Sequence, residues 1–148
     1  MKNKEKVKYI LNNCRKARAK GHNLIIASKA EYSTKAKTTV GGNNNLGKSD
    51  SEQEKHIIKK EKMKEDGQAL LELSEAVSLS VNSLPQRQRI TIKLRYFEDL
   101  KPIEIGEKEK VDRHERTVER FEAEALDKLI DWGVCMIYDD LKNLLKCR

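Results

Sequence analysis

The fold of this 148-residue chain is decided by two stretches, residues 84–107, LPQRQRITIKLRYFEDLKPIEIGE, and residues 116–129, RTVERFEAEALDKL. Pro85 and Pro102 each favour the start of a helix, because proline has a fixed φ and lacks the N–H group that a first turn would leave unpaired. The second stretch carries an apolar stripe at helical spacing, formed by Val118, Phe121, Ala125 and Leu129. The two stretches therefore predict a short helix, a turn and a longer helix.

The residues that follow Pro85 fit two periodicities. A strand would alternate its apolar side chains, at Ile90, Ile92, Leu94 and Tyr96. A helix would repeat them every three or four residues, at Ile90, Leu94 and Phe97. The starting proline and the content of Gln, Arg, Lys and Leu favour the helix.

The junction between the short helix and the longer one has two possible forms. The short helix offers two side chains for burial, Ile103 and Ile105. Gly106 follows, and its small size allows a second helix to approach closely. Residues 112–115, DRHE, have the spacing of a capping box, which favours Asp112 as the cap of the longer helix. The alternative is a longer turn with His114 in the cap position.

The sequence of this region resembles region 4 of sigma-70 factors, the part that reads promoters. The shared pattern begins with Leu-Pro, runs through an Arg-Tyr-Phe helix end and an Ile-small-Glu helix, and closes on Thr-Val and Ala-Leu. Small phage-encoded late transcription regulators of the ArpU and RinA type share this pattern, and their N-terminal architecture is similar to the rest of this chain. The chain is slightly longer than the usual module between Ile105 and Thr117, and the usual turn glycine is replaced by Glu109, Lys110 and Val111.

The resemblance implies an all-α fold with a C-terminal helix-turn-helix of the sigma-70 region 4 type. It also implies a cytoplasmic, sequence-specific transcription regulator that activates phage or prophage late genes, with double-stranded DNA and host RNA polymerase as partners. In such a motif the second helix enters the major groove, and its first turns contact base edges. Two other functions stay open at this point: a sigma-like protein that binds polymerase, and a helical phage interaction or packaging protein.

Basic residues near the start of the longer helix are the candidates for DNA contact. Arg113, Arg116 and Arg120 are spaced three and four apart, so a helix would place them on one face. Arginine reads guanine O6 and N7 and also binds phosphates. The alternative is that these arginines pair with nearby acidic residues as surface salt bridges. The flanking and weaker candidates are His114, Thr117, Lys101, Arg87 and Arg89.

The positive charge of the chain is concentrated at its N-terminus. Residues 1–30 contain nine Lys or Arg and one acidic residue, whereas residues 101–130 contain seven basic and nine acidic residues. DNA affinity comes largely from Lys and Arg that neutralise phosphates. We therefore expect the N-terminal arm to supply phosphate contacts, or else to be a helix that docks through its apolar side and leaves its charges in solvent. Its apolar stripe is Val7, Ile10, Leu11, Cys14 and Ala17.

The remaining segments predict three parts along the chain: a basic helix or arm at 1–31, a flexible linker at 32–50 and a helical domain at 51–148. Gly21 is expected to stop a short first helix. The linker is rich in Thr, Gly, Asn and Lys, which bury too little apolar surface to offset the entropy of ordering. A helix should begin near Ser51 and be interrupted near Gly67. It is then expected to continue through an apolar stripe at Leu70, Leu73, Val77, Val81 and Leu84.

After Leu129 the apolar pattern predicts one more amphipathic helix, which either folds back on the N-terminal helix or pairs with another subunit in a homo-oligomer. Three scattered cysteines fit neither a disulfide framework nor a zinc site. No apolar stretch approaches the length of a membrane span. The chain lacks a nucleophile–base pair, metal-ligand spacing and a phosphate-binding loop, so we expect no enzymatic activity, no cofactor and no metal.

Overall fold

The computed structural model of the chain describes the backbone of residues 2–38, 46–108 and 113–146, and the side chains of residues 2–29, 54–108 and 113–146. These residues form helices and no strand, which confirms the all-α fold. The helices are α1 (Asn3–Thr38), α2 (Leu46–Asn82), α3 (Gln86–Ile92), α4 (Pro102–Gly106), α5 (Glu115–Asp131) and α6 (Tyr138–Lys146). Within the described ranges, no helix has both the length and the apolar character that a membrane crossing requires.

The chain forms two compact units. Unit 1 comprises Met1–Ala17 and Leu73–Arg148, and unit 2 comprises Arg18–Glu72. Unit 1 therefore joins the beginning and the end of the sequence, whereas the predicted domains follow one another along the chain.

Unit 2 contains a close approach of α1 and α2 at two glycines. A Cβ atom added to Gly21 would lie 2.8 Å from the carbonyl oxygen of Gly67, and one added to Gly67 would lie 2.7 Å from that of Gly21. Both glycines are inside continuous helices, so the predicted stop at Gly21 and the predicted interruption at Gly67 are wrong. The physical reason is that the missing Cβ allows helix packing here, which offsets a helix-propensity cost of about 1 kcal/mol per glycine.

The helix boundaries around the predicted linker also differ from expectation. Helix α2 begins at Leu46, so the predicted start near Ser51 is wrong. Residues 32–38 and 46–50 of the predicted linker have helical backbone, and residues 39–45 lie outside the described residues.

The N-terminal part of α1 is built into the core of unit 1. Its predicted apolar stripe is confirmed, because all five side chains are buried: Val7, Ile10, Leu11, Cys14 and Ala17. The Cys14 thiol donates to the backbone oxygen of Ser74 at 3.5 Å, and Arg15 Nη1 donates to the backbone oxygen of Phe97 at 2.6 Å. Helix α1 therefore docks through its apolar side, and its exposed lysines remain candidates for phosphate contacts.

The stripe predicted in α2 is also largely buried. Leu70 in unit 2 and Val77, Val81 and Leu84 in unit 1 are each at most 3% exposed, while Leu73 is half-buried. Stripes of this kind are decided by local spacing, which explains why the sequence predicts them well.

The helical interpretation of the residues after Pro85 is confirmed. Helix α3 continues into a π-helical turn, Lys93–Phe97, in which the Glu98 N–H group donates to the Lys93 oxygen at 3.1 Å. The turn is closed by Asp99, whose φ of 56° lies in the left-handed region, and the next N–H group returns to Leu94. After this wide turn the chain continues through Lys101 to the start of α4.

The one further amphipathic helix predicted after Leu129 is confirmed as α6, although it begins only at Tyr138. Helix α5 ends at Asp131, Gly133 adopts a φ of 83°, and a 3₁₀ turn, Val134–Ile137, precedes α6. The Tyr138 ring packs edge-on against Tyr9 with centroids 5.1 Å apart. Helix α6 therefore folds back on α1, one of the two arrangements that the sequence left open.

Candidate functional site

The junction of α4 and α5 depends on Gly106. The Arg113 N–H group donates to the Gly106 oxygen at 3.1 Å, and a Cβ atom on Gly106 would collide with the Arg113 backbone oxygen. Ile105 is fully buried as predicted, but Ile103 is 54% exposed, so its predicted burial is wrong. A helix as short as α4 turns only one narrow side toward the core, and Ile105 and Gly106 occupy it.

Helix α5 begins at Glu115, with His114 as its cap residue in extended conformation (φ −65°, ψ 150°). Of the two predicted forms, the structure therefore has the later start, and the prediction that favoured Asp112 is wrong. Asp112, with Glu109, Lys110 and Val111, lies outside the described residues. The His114 side chain makes no capping hydrogen bond and is exposed, which leaves it accessible at the start of the helix.

The three candidate arginines do not share one helical face as predicted. Arg113 precedes α5, whereas Arg116 and Arg120 lie one turn apart on its exposed side. Arg113 therefore lies just before the N-terminus of α5, and Arg116 and Arg120 lie in its first two turns.

The predicted salt-bridge alternative applies to one of these arginines. Arg120 Nε lies 3.8 Å from Glu124 Oε1, with side chains 66% and 49% exposed, and the Arg120 guanidinium is 5.7 Å from the Phe121 ring centroid. Exposed pairs of this kind contribute little, roughly 0–1 kcal/mol. Arg113 and Arg116 are exposed and form no ion pair with any residue that the structure describes.

The flanking and weaker candidates differ in their exposure and in their contacts. Lys101, just before α4, and Arg87, at the start of α3, are exposed. Thr117 is half-buried, and its N–H group donates to the His114 oxygen at 2.9 Å. Arg89 is directed elsewhere, because its Nη1 atom donates to the Asn82 oxygen at 3.4 Å at the end of α2. Arg89 therefore has a structural role in joining α2 to α3.

Glu122 in the middle of α5 is bound to the end of α3. Its Oε1 atom accepts from the Tyr96 hydroxyl at 2.5 Å, and its Oε2 atom lies 3.8 Å from Arg95 Nε. Arg95 also donates to the Leu100 backbone oxygen at 3.2 Å. Burial, and then the hydrogen bond to Glu122, raise the pKa of Tyr96 far above its ordinary value, so this hydroxyl stays a donor.

Glu124 is bound to α3 through Gln88, whose Nε2 atom donates to Glu124 Oε2 at 3.3 Å. Gln88 is only 8% exposed, so this contact is part of the packing of α3 against α5. Glu115 and Glu119 remain exposed beside the arginines. Of the four glutamates in α5, only Glu122 is half-buried, whereas Glu124 contacts α3 and is still 49% exposed.

The contacts of Tyr96 and Gln88 with α5 are absent from the sequence predictions. Tyr96 fits the periodicity of a core residue, and nothing in the spacing connects it with an acidic residue 26 positions later. A glutamine inside an apolar helix face is the only local sign that Gln88 has a polar partner.

Comparisons with known proteins give no match: no family model matches the chain, and no curated protein or solved structure is significantly similar to it. Within the described ranges, no group of three His, Cys, Asp or Glu side chains is placed to hold a metal ion. The function of the site is therefore inferred from its own residues.

Proposed function

We propose that this chain is a sequence-specific transcription regulator that binds double-stranded DNA through α4 and α5 as a helix-turn-helix. The observation that supports it best is the close junction at Gly106, which puts exposed basic side chains at the start of a 17-residue amphipathic helix. In that role the first turns of α5 enter the major groove. The resemblance to phage late regulators further suggests an activator that works with host RNA polymerase.

The basic side chains take different roles in this proposal. Arg116 and Arg120 face the base edges, where arginine pairs with guanine O6 and N7. Arg113 and His114, ahead of the helix, contact the phosphates that border the groove. Lys101 is placed before α4 to bind the same backbone, and Thr117 supports the start of the helix.

The lysines of α1 supply further phosphate contacts in this proposal. Lys4, Lys8 and Lys16 are exposed, while the apolar side of the helix is buried. Because that apolar side belongs to the core of unit 1, substitution of the lysines tests their role, whereas deletion of the helix would remove core residues. Replacing all three by alanine should reduce the slope of log affinity against log salt by about 0.9 for each phosphate that is no longer neutralised.

Binding to DNA fragments from around the gene for this chain tests the proposal. Fluorescence anisotropy at several salt concentrations should show one fragment bound more tightly than the others. Arg116→Ala with Arg120→Ala should weaken that binding by about 100-fold, since each arginine–base pair is worth about 1–3 kcal/mol. Lys59→Ala with Lys62→Ala removes the same charge from exposed positions of α2 and serves as the control. Equally weakened binding in both variants, or equal affinity for every fragment, would contradict the proposal.

A second candidate function is a sigma-like protein whose module binds RNA polymerase instead of DNA. The observation that favours it is the acidic excess of residues 101–130, of which Glu115 and Glu119 are exposed. Sedimentation with purified core polymerase, in the absence of DNA, distinguishes the two. Binding to polymerase combined with no affinity for any DNA fragment would favour this second function.

A further inference from the structure

A series of contacts connects the buried side of α3 with Arg120 on the exposed side of α5. Gln88 Nε2 donates to Glu124 Oε2 at 3.3 Å, and the other carboxylate oxygen of Glu124 lies 3.8 Å from Arg120 Nε. The Arg120 guanidinium is also 5.7 Å from the ring centroid of Phe121, which is only 7% exposed. A carboxylate that is bound to α3 and a buried ring therefore restrict a side chain that is otherwise largely exposed.

Gln88 is an unusual residue for the core position that it occupies. It is buried, and its Oε1 atom has no hydrogen-bond partner among the described residues. A buried acceptor without a partner destabilises the folded protein, so packing alone would favour an apolar side chain of similar size. Within the described ranges, the side chain makes one hydrogen bond, and its acceptor is Glu124. This contact is the physical reason for a glutamine at this position.

The contact with Glu124 leaves one end of the Arg120 guanidinium available. The ion pair uses the Nε atom, so the two Nη groups at the tip of the side chain can face a base. A bidentate contact with guanine O6 and N7 needs both groups in the plane of the base. A side chain that is already restricted loses less entropy when it adopts this geometry. Restriction of Arg120 therefore favours a guanine, which accepts two hydrogen bonds from it.

The charge of Glu124 has a second and opposite effect on DNA binding. Its carboxylate repels phosphates and offsets part of the attraction that Arg120 has for them. Loss of Glu124 should therefore raise the affinity for DNA of any sequence while it lowers the preference for guanine. A residue that only supports the fold would not change these two quantities in opposite directions.

We propose that Glu124, held by Gln88, is a positioning residue that directs the Arg120 guanidinium toward one guanine of the DNA site. The inference rests on the proposed DNA binding and adds to it a residue that sets sequence preference through another side chain. Because Gln88 belongs to α3, the helix that packs against α5 takes part in this preference.

The DNA fragment that the full chain prefers provides the probe. Each G·C pair of this fragment is changed to A·T in turn, and affinities are measured by fluorescence anisotropy. The guanine that Arg120 reads is the one whose replacement weakens binding of the unmodified chain but not of Arg120→Ala. Glu124→Ala should reduce the preference for this guanine by about two- to fivefold, since exposed ion pairs are weak, and should raise the affinity for unrelated DNA.

Two controls isolate the action of Glu124 on Arg120. Glu119→Ala removes the same charge from another exposed position of α5, so it should raise the affinity for every fragment equally and leave the preference unchanged. In a chain that already carries Arg120→Ala, the further change Glu124→Ala should not alter the preference, because Glu124 acts through Arg120.

Gln88→Met tests the connection to α3. It keeps the length of the side chain and removes both the donor to Glu124 and the Oε1 atom that has no partner. The preference for the guanine should fall as it does in Glu124→Ala, whereas the midpoint of urea denaturation should not fall. A lower midpoint with an unchanged preference would limit Gln88 to a structural role and overturn its part in the proposal.

The remaining outcomes separate this inference from the proposed DNA binding. If Arg120→Ala abolishes the preference for the guanine and Glu124→Ala leaves it unchanged, this inference alone is overturned. The same holds if Glu124→Ala reduces the preference equally with and without Arg120. Equal affinity of the unmodified chain for every fragment would overturn the proposed DNA binding and this inference together.

Discussion

The arginines at the beginning of α5 and the glutamates in its middle differ in what they contact. Arg113 and Arg116 are exposed and have no acidic partner among the described residues, whereas Glu122 and Glu124 accept hydrogen bonds from Tyr96 and Gln88 of the α3 region. Six of the seven described acidic residues of 101–130 are nevertheless exposed and only Glu122 is half-buried, so the acidic excess remains part of the surface that a partner meets. Half of the acidic side chains of the first ten residues of α5 hold two helices together, and the arginines remain accessible.

The largest effect should come from the glycine that places the arginines. Gly106→Val brings a branched side chain against the Arg113 backbone oxygen, so the free energy of unfolding should fall by about 3 kcal/mol. Urea denaturation followed by circular dichroism measures the decrease. Glu107→Val, at the exposed neighbouring position, is the control and should change stability by less than about 0.5 kcal/mol. Similar decreases in both variants would show that the close junction is not required.

The second-largest effect on stability should come from substitution of Glu122. Glu122→Ala leaves the buried Tyr96 hydroxyl without its acceptor, which should lower the free energy of unfolding by about 2 kcal/mol. The DNA affinity of the folded protein should stay within about twofold, because Glu122 faces α3. Glu119→Ala is the matched control with an exposed side chain, and it should leave stability unchanged.

Substitution of Arg113 should have the opposite effect, changing DNA binding and not stability. Arg113→Ala should weaken DNA binding by about tenfold, which corresponds to about 1.4 kcal/mol, and leave the denaturation curve unchanged. A decrease in stability with unchanged DNA affinity would reverse the roles assigned to the two kinds of residue.

A smaller effect should appear at alkaline pH. Burial and the hydrogen bond to Glu122 raise the pKa of Tyr96 in the folded protein above its ordinary value of 10.0. The folded state then holds this proton more tightly than the unfolded state, so the contribution is complete below pH 10 and is lost as the pH rises above it. We expect the free energy of unfolding to fall by about 1 kcal/mol by pH 11 relative to Tyr96→Phe. Parallel pH profiles of the two proteins would contradict this.

The smallest effect should be a gain in stability, from a substitution in the turn between Phe97 and α4. Asp99 holds a φ of 56°, which glycine adopts with less strain than aspartate. Asp99→Gly should therefore raise the free energy of unfolding by about 0.5–1 kcal/mol. Thermal denaturation of this variant beside Glu98→Gly, which has a negative φ, measures the difference.

The parts of the fold that the sequence predicts are those that depend on local spacing. The stripe of α5 is buried as its period of three and four residues requires, and the proline starts of α3 and α4 are close to their predicted positions. The predictions at Gly21 and Gly67 fail because a glycine marks either a helix end or a close helix crossing. Only the partner helix, 46 positions away in the sequence, distinguishes the two.

The residue types of the candidate site can be predicted from the sequence, but their exact positions and distant contacts cannot. The residue types at the start of α5 predict DNA contact, and residues 113–116 are exposed. The position of Arg113 ahead of the helix is beyond sequence prediction, because the capping-box spacing favours Asp112 and the actual cap residue, His114, makes no side-chain capping bond that a pattern could reveal. The inward turn of Glu122 depends on Tyr96, which is distant in sequence, so no local pattern reveals it.

The split of unit 1 across the sequence has a consequence for how the chain folds. Its two parts, Met1–Ala17 and Leu73–Arg148, can pack only after the intervening residues bring their ends together, and closing a long flexible loop is entropically slow. The contact of Gly21 with Gly67 lies near both ends of unit 2, so its formation shortens the loop that unit 1 must close. We therefore predict that a bulky residue at Gly67 slows the refolding of unit 1, although Gly67 does not belong to the core of that unit.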